Sequence, residues 1–169
     1  MPGPIVITGF MGCGKTEVAR VLGQRLGLRV IDLDQVIGER EGRSPARIIN
    51  ENGERAFRTV ETNTLRSVLE GMDACVISLG GGAWIEEENR EMLSKASAET
   101  VWIDADFELC WRRIEASGED RPLGRTKPQA LELFERRRPV YQTASIRITA
   151  GQDDGVEILA SRIEKELVS

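Results

Sequence analysis

A chain of 169 residues, 40% apolar and 30% charged, fits one compact domain, long enough to bury about 70% of the surface its unfolded form exposes. Its net charge of −5 gives no field to hold a phosphate backbone, which counts against nucleic acid as partner and favours a small molecule. No repeat, linker or low-complexity tract interrupts it, and 19 of its 23 basic residues are arginine, whose planar fork suits carboxylate and phosphate groups.

Other absences narrow the chemistry. Cys13, Cys75 and Cys110 are spaced for neither a disulfide framework nor a zinc site, so a reducing, cytoplasmic compartment is expected. No run of 18 apolar residues and no signal-peptide pattern occurs, so no membrane partner is expected. With no histidine in the chain, acid or base work falls to Asp, Glu, Lys, Tyr, Cys or water.

Along the chain, short β-branched runs alternate with longer amphipathic stretches, the pattern of βαβ units around a parallel sheet in an α/β fold. Strands are expected at 5–7, 30–31, 75–77, 101–103 and 146–148. Helices are expected at 15–26, at 45–72 with a break near Gly53, and at 86–95, 107–115, 128–139 and 155–167. Ligands of such sheets bind beyond the carboxyl ends of the strands, and the unusual residues gather there. Residues 9–16 follow the first strand, Asp32 and Asp34 end the second, Gly80, Gly81 and Gly82 follow the third, and residues 112–125 lie beyond the fourth.

The first of these groups, Gly-Phe-Met-Gly-Cys-Gly-Lys-Thr at 9–16, satisfies G-x-x-x-x-G-K-[ST] between a strand and a helix. Glycines there let successive N–H groups, including those of Gly12, Cys13 and Gly14, turn around an anionic phosphate, and the helix N-terminus adds partial positive charge. Lys15 would reach the β/γ oxygens of ATP, the Thr16 hydroxyl would ligate Mg²⁺, and Glu17 follows at the edge of the nucleotide site. A guanine-specifying Asn-Lys-x-Asp is absent, and the third strand runs into glycines rather than an acidic residue. Both absences disfavour a switch or a motor.

Asp32 and Asp34 are two apart, so on an extended segment their carboxylates share a face. Asp32 would hold Mg²⁺ through water, and Asp34 would accept a hydrogen bond from an acceptor hydroxyl and serve as its base. The alternative is a pair of strand-end or helix-capping aspartates. Further on, Arg58 and Glu61 are i, i+3 neighbours on a helix, so Glu61 can orient a guanidinium whose outer edge stays free for a ligand carboxylate. Alone, this pair would read as a solvated ion pair.

Taken together the motifs resemble those of shikimate kinase: the loop at 9–16, Asp-Leu-Asp at 32–34, Gly-Glu-Arg-Ala-Phe-Arg-Thr-Val-Glu at 53–61, Gly-Gly-Gly at 80–82, Arg-Pro-Leu at 121–123 and Arg-Arg-Pro-Val-Tyr at 137–141. The resemblance spans nearly the whole chain. It implies a P-loop, nucleoside-monophosphate-kinase-like α/β/α fold with a five-stranded parallel sheet, a substrate-binding helical segment at about 33–61 and a mobile lid at about 117–126, all within one domain of residues 1–169. It implies ATP-dependent phosphorylation of the 3-hydroxyl of shikimate by a monomer. Lys15, Asp34 and Arg121 would be catalytic. Asp34 would bind the ring hydroxyls, Arg58 and Arg137 the carboxylate, and the backbone of Gly80, Gly81 and Gly82 would lie close; Phe57, Pro45 and Ile49 would form an apolar wall. Arg121 would reach the transferring phosphate from the lid, and Arg113 would lie against adenine, with Gln152 and Asp153 nearby.

The chain departs from the family's pattern in places. Gly124 stands where a second leucine is common, which predicts looser lid packing; Glu17 replaces a common Ser or Thr; and residues 150–153 align poorly. Among Arg136, Arg137 and Arg138, the position two before Pro139 selects Arg137. Two competing readings stay open: another small-metabolite kinase, acting on gluconate or a nucleoside monophosphate, and a non-catalytic ATP-binding module.

Overall fold

A computed structural model describes residues 3–71 and 73–169. The strands are continuous apolar runs where helices cover both sheet faces, and they alternate where one face is open. Thus Ile5–Thr8 (β1) and Cys75–Ser78 (β3) are buried throughout, and Glu99–Ala105 (β4) after its first residue, whereas Arg29–Asp32 (β2) and Ile146–Ala150 (β5) are partly exposed edges. All pairings are parallel in the order β2-β3-β1-β4-β5. The strand order therefore reverses at β1, and the loop leaving β1 opens into the crevice where ligands of such sheets bind.

Helix α1 (Lys15–Leu26) carries the chain from β1 to the β2 edge, and the later connections run the opposite way across the sheet. Right-handed crossovers put these on opposite faces. One face holds α1 and the last helix, α8 (Val156–Leu167), which pack on each other; the crossovers between β2 and β5 cover the other.

Between β2 and β3 lie α2 (Leu33–Glu41), α3 (Pro45–Asn52) and α4 (Glu54–Glu70). The expected helix at 45–72 is broken at Gly53, whose φ of 89° no L side chain adopts comfortably; its last expected residue, Met72, lies outside the described residues. Ser44 caps α3 by accepting from the Arg47 N–H at 3.2 Å, with Pro45 in the first turn.

The residue pattern did not show helix α2, which falls within the helical segment that the resemblance implied at about 33–61. Its nine residues bury only Leu33 and Ile37 and include Gly38, too short and too weakly patterned to show a helical period in sequence. Asp32 is its N-cap, accepting from the Gln35 N–H at 3.1 Å, so Asp34 sits in a first helical turn. The expectation that both carboxylates share the face of an extended segment is corrected: they converge because a capped turn follows the strand. Helix capping and ligand binding are therefore not alternatives for Asp32.

After β3 a 3₁₀ turn (Ala83–Ile85) leads into α5 (Glu87–Lys95), and β4 leads into α6 (Phe107–Ser117) and α7 (Lys127–Tyr141). Asp106 caps α6, and a reciprocal Thr126–Gln129 capping box starts α7. Helix α7 continues two residues past its expected end, carrying Pro139 inside its last turn although that residue has no N–H to donate. Phe134 of α7 meets Phe10 edge-on at 5.2 Å and Phe107 at 5.5 Å, pinning the loop after β1 against the two helices that flank the lid. No helix among the described residues is long and apolar enough to cross a membrane.

Candidate active site

The loop between β1 and α1 is shaped by Gly12 and Gly14, at φ 79° and 97°. It lies so close to α6 that a Cβ at Gly12 would stand 2.7 Å from the Cys110 carbonyl oxygen. Lys15 is buried, its Nζ donating to the carbonyls of Gly9 at 2.8 Å and Phe10 at 3.0 Å. Cys13 turns its side chain into the core, and its backbone N–H is given to the Phe10 carbonyl. The Thr16 hydroxyl donates to Asp32 Oδ2 at 2.9 Å, bringing both expected metal-side oxygens together. Glu17 is exposed and paired with Arg20, at the rim of a cavity of about 200 Å³ that also takes in Lys15, Thr16 and Asp32.

A second cavity, of about 100 Å³, adjoins the first and shares Asp34, Gly80, Gly81 and Arg121 with it. Pro45, Ile49 and Phe57 form its apolar side, as expected. Asp34 Oδ1 is buried with no hydrogen-bond partner among the described residues. Burial, then the charge of Asp32, push its carboxyl above the usual carboxylate range, against the pull of Lys15, Arg121 and Arg58.

Opposite stand two arginines, Arg137 buried and Arg58 partly so. The Arg58 side chain is 13% exposed and Glu61 only 1%; their ion pair closes at 2.7 Å, with Glu54 and Glu86 farther off at 3.4 and 3.9 Å. The pair is thus not a solvated one. Burial pushes the Glu61 carboxyl up to about 7 although Arg58 pulls it down. Arg58 lies against Gly82 so closely that a Cβ there would be 2.1 Å from Nη2, and its guanidinium sits 5.2 Å from the Phe57 ring centroid. Arg137 is 6% exposed, with Nη1 just 3.3 Å from where a Gly81 Cβ would stand. Of its neighbours, Arg138 pairs with Asp104 at 2.6 Å and Arg136 faces solvent, so Arg137 is the one that enters the cavity.

Arg121 borders both cavities, its Nη2 on Glu119 at 2.8 Å and its Nε buried without a partner among the described residues. The segment carrying it is tied across the acceptor cavity: Asn50 of α3 donates to Asp120 at 2.8 Å and accepts from Arg125 at 2.6 Å, and Arg125 also pairs with Asp120 at 3.0 Å. The looser lid expected from Gly124 is not found. Gly124 is buried, and a Cβ there would lie 2.6 Å from Met11 Cε, so the methionine of the phosphate loop fills the space a leucine would take.

The adenine-side residues are not gathered in this way. Arg113 donates to the Gly12 carbonyl at 3.3 Å on the outside of the loop, while Gln152 and Asp153 lie on the exposed turn after β5 and border neither cavity. Sequence reasoning missed Met11, the Asn50–Asp120–Arg125 network and Tyr141. Met11 and Tyr141 had a signal, as members of the motifs at 9–16 and 137–141, but neither motif said what its side chain would touch.

The family model for shikimate kinase matches residues 11–168. A shikimate kinase of Ruegeria pomeroyi is 37% identical over 162 residues, covering 94% of this chain and 82% of its own. One from Geobacter metallireducens is 42% identical over 147 residues, covering 85% of this chain and 80% of its own. The solved shikimate kinase of Acinetobacter baumannii in complex with shikimate superposes with a TM-score of 0.92 at 30% identity, covering 99% of this chain and 94% of that one.

Proposed function

The chain belongs to the shikimate kinase family and is a shikimate kinase, and from that premise we propose how its residues transfer the terminal phosphoryl group of ATP to the 3-hydroxyl of shikimate, giving shikimate 3-phosphate and ADP. The observation that carries the assignment of roles is the convergence of Asp34, Arg58 and Arg137 on the three glycines, one wall away from the phosphate loop. Two guanidiniums suit a carboxylate, and the apolar wall of Pro45, Ile49 and Phe57 suits a carbon ring, which open-chain gluconate lacks, while a nucleoside monophosphate has the ring but no carboxylate.

In this reading Arg58, held by Glu61, and Arg137 grip the acceptor carboxylate, while the Gly80, Gly81 and Gly82 backbone lets the ring lie close. Asp34 aligns the hydroxyl and takes its proton; its raised proton affinity suits a base that accepts late in a loose transition state. Backbone N–H groups of Gly12, Gly14 and Lys15 cradle the phosphates, that of Cys13 being given instead to the Phe10 carbonyl at 3.2 Å, and Lys15 leaves its loop carbonyls for the β/γ oxygens. Arg121 approaches the phosphoryl oxygens from the lid, and closure excludes water. Arg113, Gln152 and Asp153 would flank the adenine, with Glu17 at the rim.

Mg²⁺ fits the donors present: Thr16 and Asp32 offer hard oxygens within 2.9 Å of each other. Thr16 and, through water, Asp32 would hold it, and when bound it neutralises charge on the phosphoryl oxygens.

The enzyme is a cytoplasmic monomer in this reading. Its three cysteines are buried and free, and the exposed large apolar residues among those described are Leu131 of α7, and Ile158 and Val168 on and just after α8. Residues 1–169 act as one domain, with 117–126 the moving lid over the helical segment 33–61.

Coupled ADP release tests the assignment: shikimate should stimulate it strongly, and shikimate methyl ester, gluconate and nucleoside monophosphates poorly. Asp34→Asn should bind ATP normally and lose turnover. Near-normal turnover of that variant at saturating shikimate would remove Asp34 from its role.

A further inference from the structure

The last turn of α7 ends on Tyr141, four residues after Arg137 and therefore on the same helical face. It is the only tyrosine of the chain, and it is 2% exposed. Its ring stacks on Trp102 of β4, with centroids 6.3 Å apart and planes 23° from parallel, which fixes where the hydroxyl points. A tyrosine hydroxyl has one hydrogen to give and lone pairs to accept with. Here the hydrogen goes to the Gly81 carbonyl, and the Arg137 guanidinium, one turn back on the same face, lies over the same glycine, with Nη1 3.3 Å from where a Gly81 Cβ would stand. The Trp84 indole N–H, donating to the Val140 carbonyl at 3.0 Å, ties the turn after the glycines to the same end of α7.

We propose that Tyr141 is a positioning residue for the acceptor: by tying the end of α7 to Gly81 it holds the Arg137 guanidinium and the glycine backbone in one register, with the guanidinium presented to the substrate carboxylate. The proposal rests on the carboxylate-binding role of Arg137. An arginine side chain loses rotamer entropy on fixing its fork, and holding it buried against Gly81 in the free enzyme removes part of that cost from binding. Burial holds the phenol proton affinity well above its ordinary range, so the hydroxyl stays neutral and keeps its hydrogen for Gly81 at any working pH.

Tyr141→Phe keeps the ring and deletes the link. It should raise the KM for shikimate about five- to tenfold, the upper part of the range for a neutral hydrogen bond, with the KM for ATP unchanged. In an Arg137→Ala background the same change should cost less than about twofold, because there is no guanidinium left to place. An equal factor in both backgrounds, or an unaltered shikimate KM in Tyr141→Phe, would overturn the proposal. An Arg137→Ala enzyme with an unchanged shikimate KM would overturn the carboxylate role first and this proposal with it. A second measurement does not depend on the variant folding. Biosynthetic 3-fluorotyrosine labels position 141 alone, and its fluorine resonance should move on saturation with shikimate but stay in place with shikimate methyl ester. No movement with shikimate, or equal movement with both, speaks against the link.

Discussion

Replacing Arg58 with alanine should damage stability and substrate binding by separate routes that a second substitution can pull apart. Arg58 is paired at 2.7 Å with Glu61, whose side chain is 1% exposed, so its removal strands a carboxyl in the core. Breaking a buried pair costs about 3–5 kcal/mol, which for a chain of this size lowers Tm by roughly 10 °C. The penalty is limited by protonation, since burial already brings Glu61 to about 7 with Arg58 in place. The Tm deficit of Arg58→Ala should therefore be smaller at pH 6 than at pH 8. Binding is affected independently: a lost charged hydrogen bond of about 1.5–3 kcal/mol raises the shikimate KM roughly 10- to 150-fold, with little change for ATP. Adding Glu61→Gln removes the stranded charge, so the double variant should recover most of the Tm and none of the KM. Thermal melts and coupled ADP release read the two effects. Recovery of the shikimate KM in the double variant would refute the reasoning, because Arg58 would then act only by neutralising Glu61.

Glu61→Gln alone should change the pH dependence of stability. A carboxyl raised from 4.5 to about 7 on folding contributes stability that is complete below pH 4.5 and lost as pH rises through 7, a loss of ~3 kcal/mol that the variant should not show. Parallel Tm–pH curves for the two proteins would mean that Glu61 ionises normally. Arg121→Ala should lower kcat by up to about 10³-fold while raising either KM far less, and Arg121→Lys should recover little, since an ammonium cannot reproduce the fork. An unchanged kcat would assign Arg121 to the surface of the lid alone. Asn50→Ala cuts the exposed ties between α3 and the lid; at no more than about 1 kcal/mol, it should raise the shikimate KM two- to fivefold and increase ATP hydrolysis without acceptor. If neither moves, closure does not depend on that network.

The phosphate loop, the five strands and most helices were legible in the sequence because each depends on residues close together in the chain: a glycine pattern between a strand and a helix, β-branched runs, and apolar periods long enough to count. The glycines at 80–82 and the choice of Arg137 could be read for the same reason, through local motifs. Helix α2 could not be read from the pattern of its own residues, because nine residues with two buried apolar positions do not make a period, and its capped turn rather than a strand face brings Asp34 beside Asp32. Whether Arg58 and Glu61 form a solvated pair or a buried one was likewise undecidable from an i, i+3 spacing, since burial is set by α4 lying against Gly82 across the sheet end. Contacts between segments far apart in the chain were decided by tertiary structure alone: Met11 filling the space at Gly124, Asn50 tying the lid 70 and 75 residues away, and Tyr141 reaching back 60 residues to Gly81. Each depends on how the helices settle on the twisted sheet, a packing outcome that leaves no short-range pattern in the residues it joins.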